Sequence, residues 1–224
     1  MKTKLINLLA VLAIIFSASS CKGEKQNETE TSDAEEVREA PATALTYSVN
    51  TVSSVIEWTG KKPAGLHTGT IKLSGGEVTT ETGKIQSGSF VIDMNTITVT
   101  DLEGDEKAGL EGHLKGEGEG KEDHFFNVAQ FPKATFEVTG VTEEAGKTML
   151  SGNLTIKGIS KNISVPVSSK VDPNGVSMTS EVFTINRTDW GVNYGSKSIF
   201  ENLGDKFIND DIELKISIQA NPTS

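Results

Sequence analysis

From residue 45 to residue 220 apolar and polar positions alternate with a period of two, in short runs that stop and restart. That period puts one set of side chains on each face of a strand, so each run predicts a half-buried β-strand. Leu45, Tyr47 and Val49 form the first, and Ile56 and Trp58 follow. His67, Gly69, Ile71 and Leu73 share a face, and Gly75–Gly76 is expected to turn the chain. Phe90, Ile92 and Met94 mark the next strand. Leu150, Leu154 and Ile156 mark another, and Ile163, Val165 and Val167 follow a turn region at 158–162. Asp172-Pro173-Asn174-Gly175 is a turn by composition, because Pro and Gly supply the backbone angles a turn needs. Phe183 and Ile185 lie on one further strand, and Ile212, Leu214, Ile216, Ile218 and Ala220 on the last.

About eight half-buried strands at short spacing predict an all-β fold with antiparallel pairing. They can close into a barrel or stack as a sandwich. Closure removes exposed edges, and a barrel of this size is either filled by its own side chains or holds one small ligand. Glycines at inward parity (Gly69, Gly88, Gly152) leave room, which favours a cavity.

The densest apolar stretch is His124–Val138, HFFNVAQFPKATFEV, with Phe125, Phe126, Phe131 and Phe136. Phe125 and Phe126 are adjacent, and no strand places neighbours on one face. After Pro132 strict alternation sets in, with Ala134, Phe136 and Val138 on one side. A loop or short helix therefore delivers an aromatic plug onto the end of a sheet. Two stretches break the period. Residues 101–124 are acidic and glycine-rich, with Leu110 and Leu114 spaced for one or two helical turns. Residues 195–211 put Ile199, Phe200, Leu203 and Phe207 near helical spacing. Both are expected to cover a barrel end as short helical segments.

The first 43 residues lack this pattern. Residues 1–20 read as a secretory signal: Lys2 and Lys4, an apolar run from Leu5 to Phe16, then small residues. The run is shorter than the ~20 residues that span a bilayer. Cys21 follows directly and is the sole cysteine, so it has no disulfide partner within the chain. This resembles a bacterial lipobox, which implies cleavage before Cys21 and acylation of it. Residues 21–43 carry seven acids and almost nothing apolar, so they are expected to form a flexible, self-repelling tether ahead of a domain at 44–221. The expected location is the bacterial cell envelope, lipid-anchored, in the periplasm or facing outward.

A formal net charge of −10 argues against nucleic acid as a partner, since phosphate backbones demand a basic face. The run Gly116-Glu117-Gly118-Glu119-Gly120-Lys121 has no Ser or Thr after its lysine and is flanked by acids, so it is no phosphate loop. Gly175-Val176-Ser177-Met178-Thr179 lacks the second glycine of a nucleophile elbow. His67, His113 and His124 show no metal-ligand spacing. Arg187 and Asp189, two apart, suggest an ordinary ion pair. Trp190 and Tyr194, beside Gly191 and Gly195, fit either a pocket mouth or core packing. No catalytic or metal site is assigned.

Several motifs together resemble the YceI-like lipid-binding family. They are Tyr47-Ser48-Val49, the segment Gly88–Met94, His113-Leu114, Phe125-Phe126 and Phe131–Phe136. Further on come Gly152–Gly158, Asn186-Arg187-Thr188-Asp189-Trp190-Gly191 and Asp210–Leu214, in the family's order across about 44–220. The spacer between Leu114 and Phe125 looks longer than the family's. The resemblance implies a lipocalin-like barrel, extracytoplasmic in bacteria, that binds a long isoprenoid chain and needs no other cofactor. On that reading Phe90, Ile92, Met94, Phe136, Leu154 and Ile156 line a tunnel. Phe125, Phe126 and Trp190 shape its entrance, and Trp58, Phe131, Val138, Phe183 and Ile185 complete the lipid-contacting set. Two alternatives stand beside it. One is an enzyme acting on a membrane-derived substrate through His113 and His124; the other is a surface interaction module with a filled core.

Overall fold

The computed structural model describes residues 27–144 and 147–223. Cys21 and the expected signal lie outside them. Eleven strands are present among the described residues: β1 (Ser32–Asp33), β2 (Leu45–Val49), β3 (Val55–Lys62), β4 (Gly65–Glu81), β5 (Lys84–Val99), β6 (Lys133–Glu144), β7 (Lys147–Ile156), β8 (Ile159–Asp172), β9 (Gly175–Ser180), β10 (Phe183–Asn186) and β11 (Asp211–Pro222). One helix, α1 (Gly104–Lys115), joins them. Every pairing between these eleven strands is antiparallel, and one isolated parallel bridge joins Glu28 to Thr184.

The sheet closes on itself. From β4 the pairing runs through β5, β6, β7 and β8 to β9, from β9 to β11, and from β11 back to β4 through β3. That is a ring of eight strands, as the alternation implied. The remaining three are extensions of it. β2 and β3 lie end to end between β4 and β11, and β9 and β10 lie end to end along β11. β1 pairs with β8.

The inward faces supply the core. Phe90, Ile92 and Met94 on β5, Leu150 and Leu154 on β7, Ile163, Val165 and Val167 on β8 and Ile218 on β11 are all buried in one cluster. The Gly75–Gly76 turn does not occur; β4 runs through it as one strand of 17 residues. The pairing with β5 shifts register between Leu73 and Gly75, a bulge that bends the strand around the ring. Gly76 has φ +145, and a Cβ there would lie 2.4 Å from the Ser89 carbonyl oxygen, so glycine is required for the bend.

Two long excursions leave the ring at one end, residues 100–132 between β5 and β6 and residues 187–210 between β10 and β11. The first contains α1, which has three turns rather than one or two. Asp105 and Glu106 in its first turn and Lys115 in its last complement the helix dipole. Gly116 closes the helix in the left-handed conformation. The Glu111 carboxylate accepts from the Val99 amide at 2.8 Å and fixes α1 to the end of β5. The second excursion lies over the same end, as expected, but with little helix. Its regular structure is two short 3-10 turns, Arg187–Trp190 and Gly204–Lys206. Positive φ at Gly195, Asn202 and Gly204 interrupts any helix, and Ile199 and Phe200 point outward at 50% and 48% exposure.

The segment expected as a free tether is also different from residue 27 on. The Asn27 side chain donates to the Val182 carbonyl, and the Thr29 amide donates to the Thr184 carbonyl. Ser32 and Asp33 pair with Asn162 and Lys161. The Glu35 amide donates to Asn153 Oδ1 at 2.9 Å, and Asn153 Nδ2 donates back to the Glu35 carbonyl at 2.7 Å. The segment thus crosses from β10 over β8 to β7. β9 stops at Ser180, and above it residues 27–33 occupy the gap between β8 and β10. Sheet edges attract any backbone with free donors and acceptors, and an acidic, apolar-poor segment has those in full.

Candidate functional site

Two cavities lie along the ring's axis. The larger, about 280 Å³, opens beneath the two excursions. The smaller, about 70 Å³, continues toward the opposite end. They share Ile56, Ile92, Leu154 and Leu214, which form a waist between them. The smaller is walled by inward side chains such as Phe90, Phe136, Val165, Phe183 and Ile218, with Ser180 as its one polar member. The larger is apolar below and polar at its rim.

Most residues singled out from sequence meet here. Trp58, Ile92, Met94, Phe125, Phe126, Leu154, Ile156 and Ile185 line the larger cavity, and Phe90, Phe136 and Phe183 the smaller. Three others do not. Val138 is buried in the wall, and Phe131 packs beside Gly158 in the β7–β8 turn; neither reaches a cavity. Trp190 is fully buried rather than at an entrance, because its indole N–H donates to the Leu154 carbonyl at 2.8 Å and ties the second excursion to β7.

The room expected above inward glycines is taken by rings. A Cβ on Gly69 would lie 2.3 Å from Trp58 Cζ2, and one on Gly152 would lie 2.3 Å from Phe136 Cζ. These aromatics lie against bare backbone, a recurrent way of covering a strand glycine. The free volume lies instead where β3, β11, α1 and the excursions stand apart. Leu110 and Leu114 of α1 and Ile208 and Ile212 of the second excursion and β11 complete its wall. Ile212 and Leu214 were readable as inward from the β11 alternation; Ile208 and Asn209 carried no periodic signal.

The rim is stitched by Arg187, which does not pair with Asp189. It lies in a 3-10 turn at 2% exposure, with its guanidinium 3.7 Å from Asp210. It donates to the carbonyls of Asn209 at 3.0 Å, Ile208 at 3.2 Å and Val192. Burial pulls its pKa below the ordinary guanidinium value, with Asp210 opposing that shift. A buried cation is tolerable when its donors are so fully met. Asp189 instead accepts from the Thr31 hydroxyl at 2.9 Å, which fastens the N-terminal segment.

His113 and His124, far apart by motif standards, meet at 2.8 Å between Nε2 and Nδ1. His124 stacks on Tyr194 with ring centroids 4.1 Å apart, and His113 meets Phe125 edge-on at 5.1 Å. The His113 pKa is held below its ordinary value by burial, then by the neighbouring charges of His124 and Lys121. Among the described residues no group of three or more His, Cys, Asp or Glu is placed to hold a metal ion. The two histidines clasp α1 to the loop carrying Phe125 and Phe126, which fixes the plug over the cavity.

Comparison with known proteins agrees with this architecture. The family model described as the YceI-like domain matches residues 47–220. A UPF0312 protein of Yersinia pestis is 35% identical over 77 residues, 34% of each chain. Protein YceI of Salmonella arizonae is 44% identical over 41 residues, 18% of this chain and 22% of that one. The aligned segments thus span about a third or less of those relatives. Among solved structures, Burkholderia cenocepacia BcnA superposes with a TM-score of 0.59 at 21% identity, over 77% of this chain and 99% of that one. A polyisoprenoid binding domain from Saccharophagus degradans, implicated in plant cell wall breakdown, superposes with a TM-score of 0.56 at 16% identity. That match covers 80% of this chain and 99% of the other.

Proposed function

The chain belongs to the YceI-like domain family, and on that premise we propose that it carries a long isoprenoid chain in its axial cavities. The observation that carries this reading is the alignment of the two cavities end to end through one apolar waist. A globular ligand has no use for a narrow extension of about 70 Å³ walled by aliphatic and phenyl groups. A flexible hydrocarbon tail does. Each CH₂ moved out of water contributes about 0.8 kcal/mol. Ordering the tail offsets part of this, so a length of several isoprene units is needed for firm binding. Polyisoprenoid, the ligand class named for the Saccharophagus degradans relative, has that character.

The reading is a carrier, store or scavenger, with no reacting group required. Acylation of Cys21 would hold it at a membrane in the bacterial cell envelope, beside the source of such lipids. The experiment is extraction of the purified protein with organic solvent and mass spectrometry of the extract. The expected result is an isoprenoid species near one per chain. An empty extract, together with no uptake of added long-chain isoprenoid, would remove the proposal.

A further inference from the structure

We propose that residues 27–33 are a detachable stave of the ring, and that the seam beneath them is a lateral port for whatever the axial cavities carry. This rests on the carrier reading above and adds the route by which the tail enters and leaves.

The seam exists because β9 is short. β9 pairs with β8 only as far as Ser180 opposite Val167, and the last bond across runs from the Glu181 amide to the Pro166 carbonyl at 3.2 Å. Beyond that point β8 faces β10 with the N-terminal segment between them. On one bank the Thr184 amide donates to the Asn27 carbonyl, and the Thr29 amide and hydroxyl donate to the Thr184 carbonyl. On the other, Ser32 and Asp33 pair with Asn162 and Lys161. Taking one strand from between two others leaves their backbones about 10 Å apart, twice the usual spacing, which is room for a hydrocarbon tail. Both banks are also cavity wall. Ile163 and Val165 of β8 and Phe183 of β10 line the smaller cavity, and Ile185 of β10 lines the larger.

The stave is held more weakly than the strands beside it. From Asn27 to Asp33 it contains no apolar residue, and only Thr29 and Thr31 are half-buried. Surface hydrogen bonds return little more than the cost of ordering the backbone that makes them. The Asp33–Lys161 ion pair adds little, because the Asp33 carboxylate is fully exposed. A segment with such contacts opens locally while the apolar-packed ring stays closed.

The surface beneath it tolerates that opening. Asn153, Asn162 and Thr184 point outward by strand parity, yet they are 5%, 6% and 3% exposed because residues 27–35 lie over them. All three are polar, so water can replace the segment when it lifts. The rim is the harder route. There the His113–His124 contact fixes the Phe125–Phe126 plug, and a tail would have to thread end-on past the waist. A slit beside both cavities lets it slide in sideways.

A disulfide across the seam tests this. Asp33 and Lys161 are direct cross-strand partners, a spacing that a disulfide spans, so the full chain carrying Asp33→Cys and Lys161→Cys can be locked by oxidation and freed by reduction. Loaded with a long-chain isoprenoid, it is mixed with phosphatidylcholine vesicles and transfer is followed in time. The oxidised form is expected to load and release at least about tenfold more slowly than the reduced form with affinity changed less than about twofold, because a gate alters both rates together. The two single variants, oxidised alike, are expected to match the parent, which excludes pairing with Cys21. Asn153→Ala, which loosens the segment, is expected to transfer several-fold faster. Hydrogen exchange reads detachment without any lipid: the Thr29, Glu35 and Thr184 amides should exchange together, well ahead of the amides that pair β7 with β8. Exchange as slow as the ring, or equal transfer in oxidised and reduced forms, would overturn the port and leave the carrier reading standing. Failure of the parent to take up any isoprenoid would overturn the carrier reading and the port with it.

Discussion

Replacing Ala134 with phenylalanine puts a ring where the structure leaves space. Ala134 is 3% exposed, lies on β6 opposite Ile92, and lines the larger cavity. An apolar cavity of about 150 Å³ is large enough to hold benzene, and this one is about 280 Å³. Empty apolar volume costs about 24 cal/mol per Å³, so filling roughly 100–150 Å³ regains about 2–4 kcal/mol. Strain from imperfect fit takes back about 1–3 kcal/mol. The ligand-free Ala134→Phe protein should therefore lie between about 1 kcal/mol less and about 3 kcal/mol more stable than the parent. It should also lose most of its isoprenoid uptake. Urea unfolding of solvent-extracted protein gives the first quantity, and titration with a long-chain isoprenoid gives the second. Had the centre been packed solid, the same change would be pure overpacking. Destabilisation by more than about 3 kcal/mol with uptake intact would refute the cavity argument.

Two further outcomes follow. Asn153→Ala removes both hydrogen bonds to Glu35, so residues 27–40 should become markedly more sensitive to proteolysis while the ring keeps its circular dichroism. Stability should also fall as pH drops below about 6.5. His113 is held below that ordinary value, so the unfolded chain takes up the proton first and gains relative to the native state. The loss should level off once the pH lies below the native-state value, and His113→Gln should flatten it; a urea midpoint rising with acidification would contradict the sign.

The strand pattern was readable because burial on one face of a sheet imposes a period of two. The β11 run from Ile212 to Ala220 and the β6 run from Ala134 to Val138 reappear as written. Features set by backbone rather than by burial were not readable. Gly75–Gly76 fits a turn or a bulge equally well, and only ring closure decides between them. The segment from Asn27 to Glu35 looks like a spacer because it buries little, yet it is held by backbone hydrogen bonds that no hydropathy pattern reports. The apolar spacing at 199–207 suggested helical turns, but positive φ at Asn202 and Gly204 limits them to the short 3-10 turn Gly204–Lys206. Within the site, inward phenylalanines and leucines were legible from parity. The His113–His124 contact and the Arg187 stitch were not, because each folds one irregular excursion back on itself and such loops carry no periodic signal.

The central claim is that a hydrocarbon tail runs along the axis from the rim, past the waist of Ile56, Ile92, Leu154 and Leu214, toward Ile218. An experimental structure of the protein loaded with a long-chain isoprenoid tests it most directly. The account predicts a continuous tube of density through both cavities. Density confined to the outer surface, with the waist closed and both cavities bare, would contradict it.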